Sequence, residues 1–180
     1  MEIYNLRRVR LGYRYVLIVD PELCDGCRRC EMICSLKKSG DVISPAKARI
    51  RVLKRETLGI DIPMVCLHCE DPICRDVCPV NAIRVDDETG AVLIDEDRCI
   101  GCRQCMIACP FGAISFDPER HVCVKCDLCG GEPACVETCL WGAIKYVKAD
   151  LAGLPRMQRA LEKLEAATIK ARKSLQGRGV

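Results

Sequence analysis

The sequence predicts an α+β fold of short strands and short helices built around bound cofactors, with one long helix at its C-terminal end. Three observations predict it. Cysteine supplies 17 of the 180 residues, whereas the aromatics amount to 4 Tyr, 2 Phe and 1 Trp, so hydrocarbon alone makes a thin core for this length. The cysteines recur at fixed, short spacings. Brief apolar runs between them are bounded by Gly, Pro and Asp, the punctuation of short strands and turns.

The cysteines form four groups: Cys24, Cys27, Cys30 and Cys34; Cys66, Cys69, Cys74 and Cys78; Cys99, Cys102, Cys105 and Cys109; and Cys123, Cys126, Cys129, Cys135 and Cys139. Disulfides need an oxidising compartment and pair off evenly, and this count is odd. Zinc sites take four ligands, usually as two separated pairs. Three cysteines at every third position, with a fourth four residues on, form instead the run that wraps a [4Fe–4S] cluster and lends its last cysteine to a neighbour. The chain also repeats internally. Asp20–Cys30 matches Asp95–Cys105 with Gly26 and Gly101 in register, and Pro72-Ile73-Cys74 matches Pro133-Ala134-Cys135. Glycine at those two positions lets the backbone approach a cluster and point N–H groups at its sulfurs. Because Cys135 and Cys139 align with Cys74 and Cys78, the fourth set is Cys126, Cys129, Cys135 and Cys139, and Cys123 is expected to be a buried free thiol.

Each element has a local reason. Strands are expected at Tyr15–Val19, Arg49–Val52, Ile83–Val85, Val92–Ile94, Ile114–Phe116 and Ile144–Val147, with Asp86–Gly90 as a hairpin turn. Short helices are expected after each group's last cysteine, since Pro79 and Pro110 sit where a helix can begin; Ser35 and Leu140 stand in the equivalent places. Residues 35–62 read as an inserted surface hairpin. Residues 154–175 read as a helix, with Leu154, Met157, Leu161, Leu164, Thr168, Ala171 and Leu175 at spacings of three and four. That helix either packs on its own body or serves as a docking arm for a partner or a second copy. His68 and His121 match no ligand spacing and are expected as hydrogen-bonding neighbours, and Trp141 as packing against a cluster.

Several function classes are excluded. No run is long or apolar enough for a signal core or a membrane span, Tyr15–Val19 being the longest near the start. Arg7-Arg8 resembles a twin-arginine signal, but Arg10 and Arg14 interrupt the stretch that should be apolar, so a basic N-terminal strand is the better reading. The formal charge of +3 counts cysteine as neutral; four clusters with their thiolates bring it to roughly −5. The cations concentrate after residue 147, so the body is acidic once loaded and nucleic acid is set aside. There is no phosphate loop, Walker lysine or paired-His metal motif. No organic substrate site is expected.

The order of groups, with Cys66-x2-Cys69-x4-Cys74-x3-Cys78-Pro79 second and Lys125-Cys126-Asp127-Leu128-Cys129 opening the fourth, resembles the four-cluster ferredoxin-like electron-transfer subunits of dimethyl sulfoxide reductase, formate dehydrogenase and related enzymes. The stretch from Cys34 through Pro45 to Val52 is most similar to the small iron–sulfur subunits of tungsten aldehyde:ferredoxin oxidoreductases. The resemblance implies tandem, nested dicluster ferredoxin-like folds: an inner unit at 63–116, an outer unit of 15–34 with 117–147, the insertion at 35–62, and an extension at 148–180. With the spacing, it implies four ligand sets. Cys24, Cys27 and Cys30 take Cys139; Cys66, Cys69 and Cys74 take Cys109; Cys99, Cys102 and Cys105 take Cys78; and Cys126, Cys129 and Cys135 take Cys34. It further implies a non-catalytic wire of four [4Fe–4S] clusters in an anoxic cytoplasm, serving a tungsten or molybdenum pterin enzyme. Partners of the hydrogenase, formate dehydrogenase or carbon monoxide dehydrogenase kind, or life as a diffusing polyferredoxin, are the alternatives.

Overall fold

A computed structural model describes residues 14–176. The expected basic strand and twin-arginine motif at the N-terminus lie outside the described residues. Eight strands form four separate two-stranded antiparallel sheets. They are β1 (Tyr15–Val19) with β8 (Ile144–Lys148), β2 (Arg51–Arg55) with β3 (Ile60–Met64), β4 (Ile83–Val85) with β5 (Val92–Ile94), and β6 (Ile114–Asp117) with β7 (Val122–Lys125). The helices are α1 (Arg29–Ser39), α2 (Ile73–Asp76), α3 (Gln104–Ala108), α4 (Ala134–Glu137) and α5 (Leu154–Gln176). This is the expected α+β, ferredoxin-like architecture of short elements with a C-terminal helix. Among the described residues, no helix is long and apolar enough to cross a membrane.

The first and last strands close the body. β1 and β8 pair in the register Tyr15 to Lys148 and Val19 to Ile144. Leu17 and Ile144 point inward and are fully buried, and Tyr146, the cross-strand partner of Leu17, shares that face and stacks its ring on Tyr15 at 4.9 Å. The β4–β5 hairpin turns at Asp86–Gly90 as expected. Its Asp86 carboxylate accepts from the Thr89 backbone N–H at 2.9 Å and hydroxyl at 2.6 Å; these bonds favour the ionised form and hold the Asp86 carboxyl below the usual range.

Three expectations need correction. The helices do not follow each group's last cysteine; they occupy the stretch between its third and fourth, and residues after Pro79 and Pro110 form turns. The physical reason is the x3 spacing itself, which is one helical turn. Ser35 therefore lies inside α1 rather than at a helix start, and α1 ends at Gly40, where φ is +85°. Second, β2 starts two residues later than expected, and β3 and β7 were not legible as strands. Pro63 lies within β3, and β7 lies inside a cysteine group, with Cys123 and Lys125 among its four residues. Third, the insertion is no surface ornament. Ala48, Ile50 and Val52 are buried and join Leu17, Leu128 and Ile144 in the larger core.

Cysteines make up a large part of that core. Cys30, Cys34, Cys66, Cys126 and Cys135 belong to it, while Cys105 and Cys123 join Ile83, Val92 and Ile114 in a second, smaller one. Two buried polar side chains pin the insertion to α1. Glu31 accepts from the Val52 backbone N–H at 2.6 Å. The fully buried Ser35 hydroxyl donates to the Val42 carbonyl and accepts from the Ser44 N–H, each at 2.8 Å. Ser35→Ala leaves the Ser44 N–H without its acceptor. It should cost about 1–3 kcal/mol, read as a lowered thermal midpoint in anoxic calorimetry at unchanged iron content.

Candidate metal centres

The cysteine turns are built by backbone chirality. In four Cys-x2-Cys turns, those closing at Cys27, Cys69, Cys102 and Cys129, the residue before the second cysteine is left-handed: Gly26 (φ +68°), His68 (+46°), Gly101 (+66°) and Leu128 (+55°). Gly101 is needed for a reason beyond cluster approach, because it faces backbone, whereas Gly26 faces the movable ends of side chains. A Cβ on Gly101 would stand 2.3 Å from the His121 carbonyl oxygen, and one on Gly26 would stand 2.5 Å from an Asp61 carboxylate oxygen. In the other two turns the same position holds His68 and Leu128, both fully buried. Sequence reading missed this shared role, although aligning the four turns by their cysteines would have placed these four residues together.

The fold brings cysteines of different groups into common cavities. One cavity is lined by Cys34, Cys126, Cys129 and Cys135, together with Lys38 and Arg49. A second is lined by Cys78, Cys99, Cys102, Cys105 and Cys123. Cys24 lies in electrostatic reach of Cys139, and Cys30 of Cys24 and Cys27. Cys74 lies in reach of Cys66 and Cys109, and Cys69 follows directly on His68. The sets abut one another: Cys105 interacts with Cys74, Cys126 with Cys66, and Cys135 with Cys30. The cysteine sets therefore run in the spatial order Cys99, Cys66, Cys126, Cys24.

The donor set around these sulfurs suits an iron–sulfur cluster. Backbone N–H groups donate to ligand-type sulfurs at five positions: Arg49 to Cys34 and Ala82 to Cys78 at 3.2 Å, His68 to Cys66 and Cys123 to Cys99 at 3.4 Å, and Leu128 to Cys126 at 3.5 Å. Such N–H···S bonds favour thiolate and tune a bound cluster. Burial pushes the Cys30, Cys105 and Cys135 thiols up to about 12, and Cys126 upward as well. Only a bound cation of high charge makes thiolate favourable there, so loading must expel protons.

The histidines and Trp141 are resolved differently from one another. His68 is the hydrogen-bonding neighbour expected: its Nδ1 accepts from the Val92 N–H at 3.0 Å. Its proton therefore sits on Nε2, which is buried and has no acceptor among the described residues. Burial, then the Lys125 charge, holds its pKa down at about 3. His121 lies edge-on to Phe116 at 6.3 Å. Trp141 corrects the expectation of packing: it is 58% exposed, and its indole N–H donates to Asp25 at 2.7 Å. Asp25 in turn accepts from the Cys27 N–H at 3.1 Å, so the indole braces a cysteine turn from outside.

Charge is distributed unevenly over the centres. Lys38 and Arg49 face the Cys34 cavity, whereas Asp25, Asp61 and Glu31 surround Cys24, Cys27 and Cys30. Lys38 is shared with Asp127 at 2.7 Å. Burial and then the neighbouring Arg120 push the Arg49 guanidinium down, so it stands as a desolvated cation.

A family model described as a 4Fe-4S dicluster domain matches residues 59–149, and a second of the same description matches residues 23–83. The chain belongs to the 4Fe-4S dicluster family. Among its relatives is the aliphatic sulfonate oxidoreductase, polyferredoxin-like subunit of Pyrococcus furiosus, 44% identical over 126 residues that cover 70% of this chain and 72% of that protein. The iron-sulfur protein of Rhodospirillum rubrum is 36% identical over 159 residues, covering 75% and 83%. The thiosulfate reductase electron transfer subunit PhsB of Salmonella typhi is 33% identical over 158 residues, covering 81% and 82%. The cofactor of this dicluster chain is accordingly the [4Fe–4S] cluster. Arg49→Met should lower the potential of a cluster at the Cys34 cavity by on the order of 50 mV, since removing a nearby cation disfavours the more negative reduced state. A redox titration followed by electron paramagnetic resonance reads that shift.

Proposed function

We propose that this iron–sulfur electron-transfer subunit holds four [4Fe–4S] clusters in a row and conducts electrons between a catalytic partner and an acceptor. When bound, each cluster supplies one-electron transfer between two oxidation levels. The chain itself is the non-catalytic member of an oxidoreductase complex. Its cysteines hold the clusters in nested sets: Cys24, Cys27, Cys30 with Cys139; Cys126, Cys129, Cys135 with Cys34; Cys66, Cys69, Cys74 with Cys109; and Cys99, Cys102, Cys105 with Cys78. The nesting makes residues 63–116 an inner unit clasped by an outer unit of 15–34 and 117–147.

The observation that carries this reading is the meeting of distant cysteines in one cavity, Cys34 with Cys126, Cys129 and Cys135. The same exchange recurs where Cys78 joins Cys99, Cys102 and Cys105. The backbone N–H groups and the buried charges then hold each centre's electron affinity, and the surrounding apolar side chains shield the buried sulfurs such as Cys30, Cys105, Cys126 and Cys135. For the partner we propose a tungsten or molybdenum pterin enzyme of the aldehyde oxidoreductase kind. The resemblance of the 34–52 stretch supports it, and the polyferredoxin-like relative serves an oxidoreductase. The cytoplasm is the compartment that such reducing centres fit.

Two measurements test this. Anoxic native purification should give roughly 16 irons per chain, with tungsten or molybdenum in the co-purifying complex; nickel in its place would move the partner to a hydrogenase or carbon monoxide dehydrogenase. Zinc at four per chain would overturn the cluster reading altogether. Cys139→Ser should alter the paramagnetic signal of the Cys24 centre and leave that of the Cys126 centre intact. A change confined to the Cys126 centre would overturn the nesting.

A further inference from the structure

Cys123 is left over from the four sets of four. By sequence it opens an evenly spaced triplet with Cys126 and Cys129 and reads as part of their group. The fold sends it elsewhere. It lies on β7 opposite Phe116 of β6, and its side chain lines the cavity of Cys78, Cys99, Cys102 and Cys105. The cavity of Cys126 and Cys129 does not include it. Five cysteines thus face one cavity, where a cubic cluster takes four.

Its contacts separate it from the other four. Cys123 is 1% exposed. Its thiol is hydrogen-bonded to the Cys105 thiol, and its backbone N–H donates to the Cys99 sulfur. It comes from a paired strand, whereas Cys99, Cys102 and Cys105 come from the turn and helix start that the first group repeats. Of the bonded pair Cys105 and Cys123, the one that ligates iron loses its proton and can only accept. The other is then the only one of the two that can donate the bond.

We propose that Cys123 is a positioning residue whose S–H donates to the Cys105 thiolate and raises the potential of the cluster held by Cys78, Cys99, Cys102 and Cys105. The donor's positive end faces a ligand that gains negative charge on reduction, so the reduced state is favoured over the oxidised one. No atom is transferred; the proton stays on Cys123 through the redox cycle. This inference rests on the ligand sets proposed above.

The test uses the holo-protein, prepared anoxically, as wild type, Cys123→Ala and Cys123→Ser. The centre is first identified in the wild type as the one whose signal Cys102→Ser alters. Cys123→Ala should keep the full iron content, lower the midpoint potential of that centre alone, and abolish one proton coupling that exchanges in deuterated water. Cys123→Ser, which restores a donor, should bring the potential back towards or above the wild-type value. Unchanged potential and unchanged proton coupling in Cys123→Ala would overturn the proposal. So would loss of one cluster's iron, which would make Cys123 a ligand. Should the alanine variant fail to fold, the serine variant decides: a centre with no exchangeable proton coupling in Cys123→Ser overturns the donor role. A wild-type protein in which Cys102→Ser disturbs no centre would instead overturn the ligand sets, and would do so before any Cys123 variant is measured.

Discussion

One helical turn separates the last two cysteines of every group, and most of the structure hangs on that turn. It carries Cys34 into the cavity of Cys126, Cys78 into that of Cys99, Cys109 to Cys74, and Cys139 to Cys24. In the proposed ligand sets, no group is complete within its own stretch of chain. The first and last groups exchange a cysteine in those sets, and the pairing of β1 with β8 brings those two stretches of chain together. Long-range contacts that hydrocarbon alone makes in an ordinary domain are here shared with cysteine, five of which sit in the larger core.

The same dependence explains the sparse core and its polar pins. Cysteine thiols fill sites that Leu or Phe would occupy, and beside Leu17, Ile50, Leu128 and Ile144 the buried groups include the small Ala48, Ala82, Ala91 and Ala143. Buried hydrogen bonds then fix segments that packing alone would leave loose. Glu31 holds β2 against α1, and Lys125 reaches the carbonyls of Val92 and Cys126 between the two cores. Each of these residues sits next to, or one turn from, a cysteine. The groups that rigidify the fold are thus also the charges and dipoles felt by the centres, a coupling of stability to redox tuning that follows from the shared space.

The C-terminal helix departs from this logic. Leu154, Met157, Leu161, Leu164 and Ile169 are each about half exposed or more, so α5 is not packed on its own body along that stripe. Lys163 forms an ion pair with Glu22, which touches the helix to the turn preceding Cys24. Its periodicity was plain in the sequence, but periodicity states only that an apolar face exists, not what lies against it.

The sequence by itself determined the local things: the grouping of sixteen cysteines by spacing, the hairpin at Asp86–Gly90, the strands at Tyr15–Val19, Ile83–Val85 and Val92–Ile94, and the helix from Leu154. These rest on neighbours within a few residues, where covalent geometry decides. The tertiary structure alone decided that Cys123 faces the Cys99 cavity rather than its sequence neighbours, and that His68 and Leu128 do in two turns what Gly26 and Gly101 do in the others. It also drew the 35–62 insertion into the core. Those outcomes depend on which surfaces meet after β6 folds onto β7 and β2 onto β3. Spacing along the chain carries no information about burial across it, so a cysteine three residues from its neighbour could still turn to another centre.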